Sequence, residues 1–319
     1  MHMPTFADIQ AAAARIAGQV RVTPVLESAA LDAASGASLW FKCENLQHIG
    51  AFKFRGASNA VLALDAAQAR HGVVTHSSGN HGAALGLAAR LRGIPSYIVV
   101  PHNAPAIKIA NMRETGATLH FCEPNQAARE HAAAQLQAQT GAAMIHPFTH
   151  PDVIAGQGTA ALELLAAQAR IDTLVVPVGG GGLLSGTAIA AHGIDANIEV
   201  IAAEPEGAAD AFRAVHSGTR ESQPGADTIC DGLRTGIGEI NFAVMQRERV
   251  KVLTANDADT VVAMRLLWDR LKLVVEPSAA VCLAVILTHR DVFAGRRVGV
   301  ILSGGNVDLD ALPWNRSIA

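Results

Sequence analysis

Short apolar runs that alternate with helical segments predict an α/β fold, with open, mostly parallel, twisted sheets flanked by helices. Runs such as residues 174–178 are apolar throughout and end at glycine-rich or polar turns, which is typical of strands buried on both faces. The helical segments between them are about 10–15 residues long, as in βαβ units. A chain of 319 residues is long for one core, so we expect two domains.

The composition excludes several classes of protein. Half of the residues are hydrophobic, 17% are charged, and the net charge is −3 without a basic run, so nucleic acid is not an expected partner. The N-terminus lacks a basic-then-apolar signal and no apolar run reaches about 18 residues, so we expect neither export nor a membrane span. Four widely spaced cysteines predict reduced thiols in a cytoplasmic protein: Cys43, Cys122, Cys230 and Cys282.

The predicted elements follow one another regularly along the chain. A helix over residues 5–20 is interrupted by Thr23-Pro24, because the residue before a proline avoids helical geometry. Strands are predicted at 39–43, 72–75, 97–100, 117–122, 143–145, 174–178, 197–203, 250–253 and 297–302. Further helices are predicted up to residue 70, up to 92, at 104–115, 126–139 and 153–168, from 183, and at 256–271 and 277–289. The region 204–248 is predicted to be irregular.

Four consecutive glycines, Gly179 to Gly182, separate the strand at 174–178 from the next helix. Glycine lets backbone N–H groups approach a ligand closely, and a helix N-terminus presents unpaired N–H groups and a positive dipole. The loop therefore predicts a phosphate site. It lacks both the Lys-Ser/Thr ending of an NTPase P-loop and the spacing of a dinucleotide site. The alternative is a flexible turn without a ligand.

Lys53 lies where a loop becomes a helix, between Phe52 and Phe54. An apolar setting lowers the pKa of a lysine and frees its amine for Schiff-base chemistry. The alternative is a surface lysine with no chemical role.

A second strand–loop–helix junction carries the residues His76-Ser77-Ser78-Gly79-Asn80-His81-Gly82. Its hydroxyl and amide groups and the helix N-terminus predict a carboxylate site; the alternative is that Ser78 or Asn80 merely caps the helix. Ligands of parallel sheets bind beyond the carboxyl ends of the strands, where both junctions and the Ser303-Gly304-Gly305-Asn306 loop lie. A lysine, a phosphate site and a carboxylate site together suit pyridoxal 5′-phosphate with an amino acid substrate.

With these motifs the sequence resembles the fold-type-II pyridoxal-phosphate enzymes, in particular the serine racemase and threonine (serine) dehydratase group. The resemblance covers residues 10–315 and rests on five motifs: Ala51-Phe52-Lys53-Phe54-Arg55-Gly56-Ala57, Ser-Ser-Gly-Asn-His-Gly at 77–82, Ile-Ala-Gly-Gln-Gly-Thr at 154–159, the four glycines, and Ser-Gly-Gly-Asn-Val-Asp at 303–308. Ala51 stands where many relatives have serine.

The resemblance implies a role for each matching residue. Lys53 would form the Schiff base and act as a base on one face, and Ser78 would be the second acid or base. The implied cofactor-binding residues are Phe52, Lys53, Asn80, Gly179, Gly180, Gly181, Gly182 and Ser303. The implied substrate-binding residues are Ser77, Ser78, Asn80, His81 and Arg129.

The implied activity is dehydration of L-threonine, L-serine or a related 3-hydroxy amino acid to a 2-oxo acid and ammonia. A serine facing the pyridine nitrogen does not favour its protonation, which suits prompt elimination. Ser78 keeps racemisation open, and Phe148 places an apolar group near the pocket. The alternatives are therefore a serine racemase with side elimination, or a 3-hydroxyaspartate, phenylserine or hydroxyectoine-pathway dehydratase. A phosphate-binding protein without chemistry is a third hypothesis, against which Lys53 argues.

The resemblance also implies a Mg²⁺ or Ca²⁺ site, with oxygens from Glu204, the Ala208 carbonyl and Asp210. From spacing alone these acids indicate a strand-end residue and a helix cap. A homodimer is implied as well. We expect a large cofactor-binding domain formed by 1–65 and 150–319, a small mobile domain at 66–149, and an active site between them.

Overall fold

A computed structural model describes residues 2–221 and 225–315. Met1, residues 222–224 of the predicted irregular region and residues 316–319 of the predicted large domain lie outside the described residues. The strands are β1 (Val25–Leu26), β2 (Ser38–Cys43), β3 (Val73–His76), β4 (Ser96–Pro101), β5 (Thr118–Cys122), β6 (Ala143–Met144), β7 (Thr173–Pro177), β8 (Glu199–Pro205), β9 (Lys251–Ala255) and β10 (Arg297–Leu302). The α-helices are α1 (Phe6–Ile16), α2 (Ala29–Ser35), α3 (Lys53–Ala63), α4 (Ala66–Ala69), α5 (Asn80–Arg92), α6 (Ala106–Glu114), α7 (Gln126–Thr140), α8 (Pro151–Ala167), α9 (Gly182–Ile194), α10 (Asp210–Ser217), α11 (Glu239–Arg247), α12 (Asp257–Leu271), α13 (Pro277–Thr288) and α14 (Arg290–Phe293).

The strands form two sheets. The larger has the order β1-β2-β10-β7-β8-β9, and all of its neighbouring strands are parallel except β1, which pairs antiparallel with β2. The smaller has the order β5-β4-β3-β6 and is entirely parallel. The predicted α/β class with mostly parallel sheets is confirmed. All four strands of the smaller sheet lie within residues 66–149.

The core lies on both faces of the larger sheet. Successive strand residues point to opposite faces. Accordingly, Leu174 and Val176 of β7 join the apolar cluster that includes residues of α8 and α9, whereas Val175 joins the cluster that includes α12 and α13. Burial on both faces explains the continuous apolar runs in the sequence. No helix within 2–221 and 225–315 is long and apolar enough to cross a membrane.

Several predicted elements need correction. The region 204–248 contains two helices, α10 and α11. The sequence did not show α10 because its N-terminal N–H groups bond to Glu204, which precedes the helix by six residues. The helix predicted to reach residue 70 ends at Ala63, and Asp65 caps the separate short helix α4. The first helix ends at Ile16 rather than residue 20, and the two-residue strand β1 was not predicted.

A buried ion network fixes the start of α3. The Arg55 guanidinium donates to Glu44 through Nε (2.7 Å) and to Glu163 through Nη1 (2.7 Å), and Lys42 donates to the same Glu163 (2.5 Å). The Arg55 side chain is fully buried, so its charge needs these partners. The network joins β2, α3 and α8. The network therefore also fixes the backbone at Lys53, two residues earlier in α3.

Candidate active site

A cavity of about 400 Å³ opens at the carboxyl ends of strands from both sheets. β7 and β10 of the larger sheet lead into it, and β3 of the smaller sheet leads into it from the other side. It brings together all of the predicted cofactor- and substrate-binding residues: Phe52, Lys53, Ser77, Ser78, Asn80, His81, Arg129, Gly179, Gly180, Gly181, Gly182 and Ser303. This position between the two sheets is that of ligand sites in open α/β folds.

The four-glycine loop presents an uncapped helix N-terminus to the cavity. Gly181 precedes α9 with φ +88° and offers no side chain to bond the first N–H groups. Gly182 and Leu183, the first two helical residues, both line the cavity. Their N–H groups have no intrahelical acceptor, since the first turn of any helix lacks one. The loop is therefore a seat for an anion such as a phosphate.

Close packing explains why the loop is glycine throughout. A Cβ on Gly180 would lie 2.4 Å from Cγ of Phe148, and one on Gly182 would lie 3.0 Å from the Phe148 Cα. A Cβ on Gly179 would lie 2.8 Å from the Leu233 Cα. No real side chain tolerates contacts of 2.4–2.8 Å without displacing its neighbours. The Phe148 loop thus holds the glycine backbone from one side.

Lys53 faces the cavity at the start of α3. Its Nζ donates to the Pro147 carbonyl (3.0 Å) and lies 5.1 Å from the centre of the Phe52 ring. Burial lowers the pKa of Lys53 to about 8, and the Glu276 carboxylate only partly opposes this effect. The neutral amine, which a nucleophile or base requires, is therefore far more populated near neutral pH than in an ordinary lysine.

The second junction, at the start of α5, is capped by Ser77. The Ser77 hydroxyl accepts hydrogen bonds from the N–H groups of Gly79 (3.2 Å) and Gly82 (3.0 Å). The alternative that Ser78 or Asn80 caps this helix does not hold, because Gly79 is the residue before α5 and the hydrogen bonds are accepted by Ser77. Within the described chain, the N–H groups of Ser78, Asn80 and His81 have no acceptor. They are free to receive a carboxylate.

Asn80 is anchored from two sides. Its Nδ2 donates to Glu276 (3.0 Å), and its Oδ1 accepts from Asn306 (2.9 Å). One N–H of the Asn80 amide remains to donate to a ligand. The His81 Nε2 lies 3.2 Å from the Ile145 carbonyl, and burial lowers the pKa of His81 well below its usual value, so the ring is neutral.

Glu276 is a site residue that the sequence reasoning missed. It is 3% exposed, and its Oε2 has no partner within the described part of the chain. Burial raises the pKa of Glu276 to about 7, whereas Lys108 opposes the increase and Asp231 adds to it. In the sequence, Glu276-Pro277 looked like an ordinary helix start, so no local signal separated it from a structural cap.

Two further predicted residues lie in the cavity wall. Ser303 follows β10 and is 3% exposed, and its carbonyl accepts the Phe52 N–H (2.9 Å). Arg129 reaches the cavity from α7, and its buried Nε has no acceptor among residues 2–221 and 225–315. A buried N–H of a cation without an acceptor is costly, so Arg129 is suited to an anionic ligand.

The predicted metal residues lie away from this cavity. Both oxygens of Glu204 accept backbone N–H groups at the start of α10 (2.8 Å each), and Asp210 accepts the Ile237 N–H (2.7 Å). Burial raises the pKa of both carboxyls, that of Glu204 to about 8, and the Asp210 charge contributes to the increase at Glu204. The described residues contain no cluster of three or more His, Cys, Asp or Glu side chains placed for a metal.

The cavity thus combines two helix N-termini suited to a phosphate and a carboxylate with a lysine amine of lowered pKa, a combination that suits an enzyme that uses pyridoxal phosphate. Residues 16–304 match the family described as pyridoxal-phosphate dependent enzyme. The chain belongs to this family, and the predicted cofactor is confirmed.

Individual relatives narrow the class. The chain is 47% identical over 315 residues to the beta-hydroxyaspartate dehydratase of Paracoccus denitrificans, covering 99% of this chain and 100% of the relative. It is 47% identical over 309 residues to the serine racemase of Arabidopsis thaliana, covering 94% and 92%. Maize serine racemase superposes with a TM-score of 0.95 at 44% identity, covering 98% of this chain and 97% of that one. The chain is therefore an enzyme of the lyase and racemase group, as predicted.

Proposed function

We propose that the protein is a dehydratase that eliminates water from a 3-hydroxy amino acid to give an enamine, which takes up water again and so yields a 2-oxo acid and ammonia. The observation that carries the proposal is the Lys53 amine, with its lowered pKa, in the same cavity as the α9 and α5 N-termini. One N-terminus suits the cofactor phosphate and the other suits the substrate carboxylate. The pyridoxal ring supplies electron withdrawal that makes the Cα proton of a bound amino acid acidic.

The residues of the chain bind and orient the reactants. Gly179 to Gly182 would bind the phosphate, and Phe52 would pack against the ring. Ser303 would bind at the pyridine nitrogen, and the spare N–H of Asn80 would donate to the ring hydroxyl. Lys53 would hold the cofactor through its amine and would take the Cα proton of the substrate. The free N–H groups of the Ser77–His81 turn hold the substrate carboxylate.

The substrate that the cavity favours carries a second carboxylate, as 3-hydroxyaspartate does. Besides Lys53, three cationic side chains line the cavity (Lys108, Arg129 and Arg234), against two carboxyls (Asp231 and Glu276). Arg129 has the unpaired Nε and lies on a different helix from the α5 seat. We therefore propose that Arg129 binds the distal carboxylate of the substrate. Relatives named for action on hydroxyaspartate support this assignment.

The test is a mass balance on purified holoenzyme with 3-hydroxyaspartate, L-serine and L-threonine. We expect equal amounts of 2-oxo acid and ammonia, with the highest kcat/KM for 3-hydroxyaspartate. Absence of oxo acid from all three substrates would overturn the dehydratase proposal.

The Arg129 assignment is tested separately by Arg129→Gln. We expect kcat/KM for 3-hydroxyaspartate to fall roughly 10- to 100-fold, as for the loss of a hydrogen bond to a charged group, and kcat/KM for L-serine to fall much less. Arg113→Gln on α6, outside the cavity lining, is the matched control. An equal loss of kcat/KM for both substrates would show that Arg129 binds the α-carboxylate, which both substrates carry, instead of the distal one.

Racemisation is the second candidate function, and Ser78 favours it. Ser78 lines the cavity, and within the described residues its hydroxyl has no hydrogen-bond partner, so it is free to carry a proton on the face opposite Lys53. Chiral separation in the same assay detects a D-isomer. If racemisation occurs, Ser78→Ala should abolish the D-isomer and leave 2-oxo acid formation.

We also propose a Mg²⁺ or Ca²⁺ ion at Glu204, the Ala208 carbonyl and Asp210. Two neighbouring buried carboxyls with raised pKa values support it, because a cation would offset their repulsion. Mg²⁺ should raise the Tm of the wild type by a few degrees and leave that of Glu204→Gln unchanged. The homodimer, the mobility of residues 66–149 and the cytoplasmic location stay predictions; sedimentation measures the first.

A further inference from the structure

An ion pair spans the cavity between parts of the chain that belong to different sheets. Lys108 lies in the first turn of α6, which follows β4 of the smaller sheet, and its Nζ donates to Asp231. Asp231 opens a 3₁₀ helix, Asp231–Leu233, in the segment between β8 and β9 of the larger sheet. Both residues line the cavity, and Lys108 is only 8% exposed.

The aliphatic part of the Lys108 side chain packs against the Ser77–Asn80 turn. A Cβ built on Gly79 would meet the Lys108 Cδ at 3.0 Å and its Nζ at 3.5 Å. Gly79 is the residue between Ser78 and Asn80, whose free N–H groups form the carboxylate seat. The ammonium therefore lies beside that seat.

The same turn is held from its other side by Glu276. Asn80 donates to the Glu276 carboxyl (3.0 Å), and the Lys108 charge acts on that carboxyl as well. Burial alone would lower the pKa of Lys108, but Glu276 and Asp231 together raise it above the usual value. The lysine is thus charged while its stem covers Gly79.

We propose that Lys108, through its ion pair with Asp231, is a positioning residue that holds the Ser77–Asn80 turn in place over the bound substrate. The proposal rests on the dehydratase function proposed above, since it concerns the seat of that substrate. Lys108 does not exchange protons with the substrate. It fixes the N–H groups that do bind it, and the pair links the part of the chain that follows β4 with the segment between β8 and β9.

The test compares Lys108→Met, Lys108→Arg, Asp231→Asn and the double variant Lys108→Met/Asp231→Asn as holoenzymes. Lys251→Met, which removes an exposed lysine paired with Glu199, is the matched control. For Lys108→Met we expect kcat/KM to fall roughly 100-fold, mainly through KM, because loosening a binding turn misplaces the substrate. The visible absorbance of the cofactor should stay unchanged, since the glycine loop is untouched.

The double variant separates positioning from simple charge balance. Lys108→Met alone leaves the Asp231 carboxylate without its partner, whereas the double variant does not. If Lys108 served only to neutralise Asp231, the double variant should therefore recover the activity that Lys108→Met loses. We expect it to stay impaired and Lys108→Arg to retain most of the wild-type kcat/KM, because arginine can remake the pair. Recovery in the double variant, or behaviour of Lys108→Met like that of Lys251→Met, would overturn the inference while leaving the dehydratase proposal intact. A wild type without turnover overturns both.

Discussion

The two strand–loop–helix junctions of the cavity are built differently. The α9 junction has only glycines, no side-chain cap, and neighbours within contact distance of every missing Cβ. The α5 junction carries side chains: Ser77 bonds two of the N–H groups and Asn80 is tied to Glu276 and Asn306. Both present backbone N–H groups to the cavity.

This difference matches two kinds of ligand. A cofactor phosphate stays bound through many turnovers, so a rigid backbone seat that no side chain can obstruct is suitable. A substrate carboxylate must enter and leave in each turnover, so a turn held by side-chain bonds can adjust without losing its N–H array. Four substitutions test whether the two junctions act independently.

Lys53→Ala should lower the activity most. It removes the amine that, in the proposed function, both binds the cofactor and takes the Cα proton of the substrate. We expect 2-oxo acid formation to fall at least about 1,000-fold, as loss of a positioned base alone can cost this much. The cofactor absorbance should no longer respond to borohydride. Retention of more than about a tenth of wild-type activity would contradict the role given to this lysine.

Gly180→Ala breaks the α9 junction alone. Its Cβ would lie 2.4 Å from Cγ of Phe148, and overpacking of this kind costs about 1–3 kcal/mol. We expect cofactor affinity, measured by absorbance titration, to fall while KM for the substrate in saturating cofactor changes little. Phe148→Ala should relieve the clash, so the two substitutions should be non-additive in the double variant. Additive losses would count against the Phe148 contact.

Glu276→Gln tests the anchor of the α5 junction through pH. The pKa of Glu276 is raised to about 7 in the folded protein from an ordinary value of 4.5, so the folded state binds the proton more tightly. Wild-type stability therefore declines as pH rises from about 4.5 to 7 and then levels off. The glutamine variant lacks this decline, so it should gain on the order of 1–3 kcal/mol relative to wild type across that interval. Denaturant unfolding at several pH values measures the gap; parallel curves would refute the shift.

Ser77→Ala should give the smallest effect. It removes a hydroxyl that bonds two N–H groups, a change that costs about 1 kcal/mol for helix caps. We expect a Tm lower by a few degrees and a KM several-fold higher, with cofactor affinity unchanged. Loss of cofactor affinity would show that the two junctions are not independent.

The sequence predicted what depends on local pattern. Both junctions, Lys53 and Ser303 are marked by glycines, polar loops or apolar flanks next to strands, and the structure brings them to one cavity. It did not predict Glu276, because the partner of this residue, Asn80, is distant in the sequence. Capping by Ser77 was missed although its partners, Gly79 and Gly82, are local, because Ser78 and Asn80 lie nearer to the start of the helix. The helix α10 was missed because its first N–H groups bond to a carboxylate on β8 rather than to a cap next to the helix.

The buried Arg55 network also bears on how this scaffold can diversify. Lys53 lies on a helix that Arg55 and Glu163 bond to β2 and α8, whereas the Ser77–Asn80 turn, α6 and α7 follow strands of the smaller sheet. Substitutions that retune the choice of substrate can therefore accumulate in one part of the chain without disturbing the other. A library restricted to residues 77–79, 108 and 129, which leaves Asn80 unchanged, should yield altered substrate preference at little loss of cofactor loading.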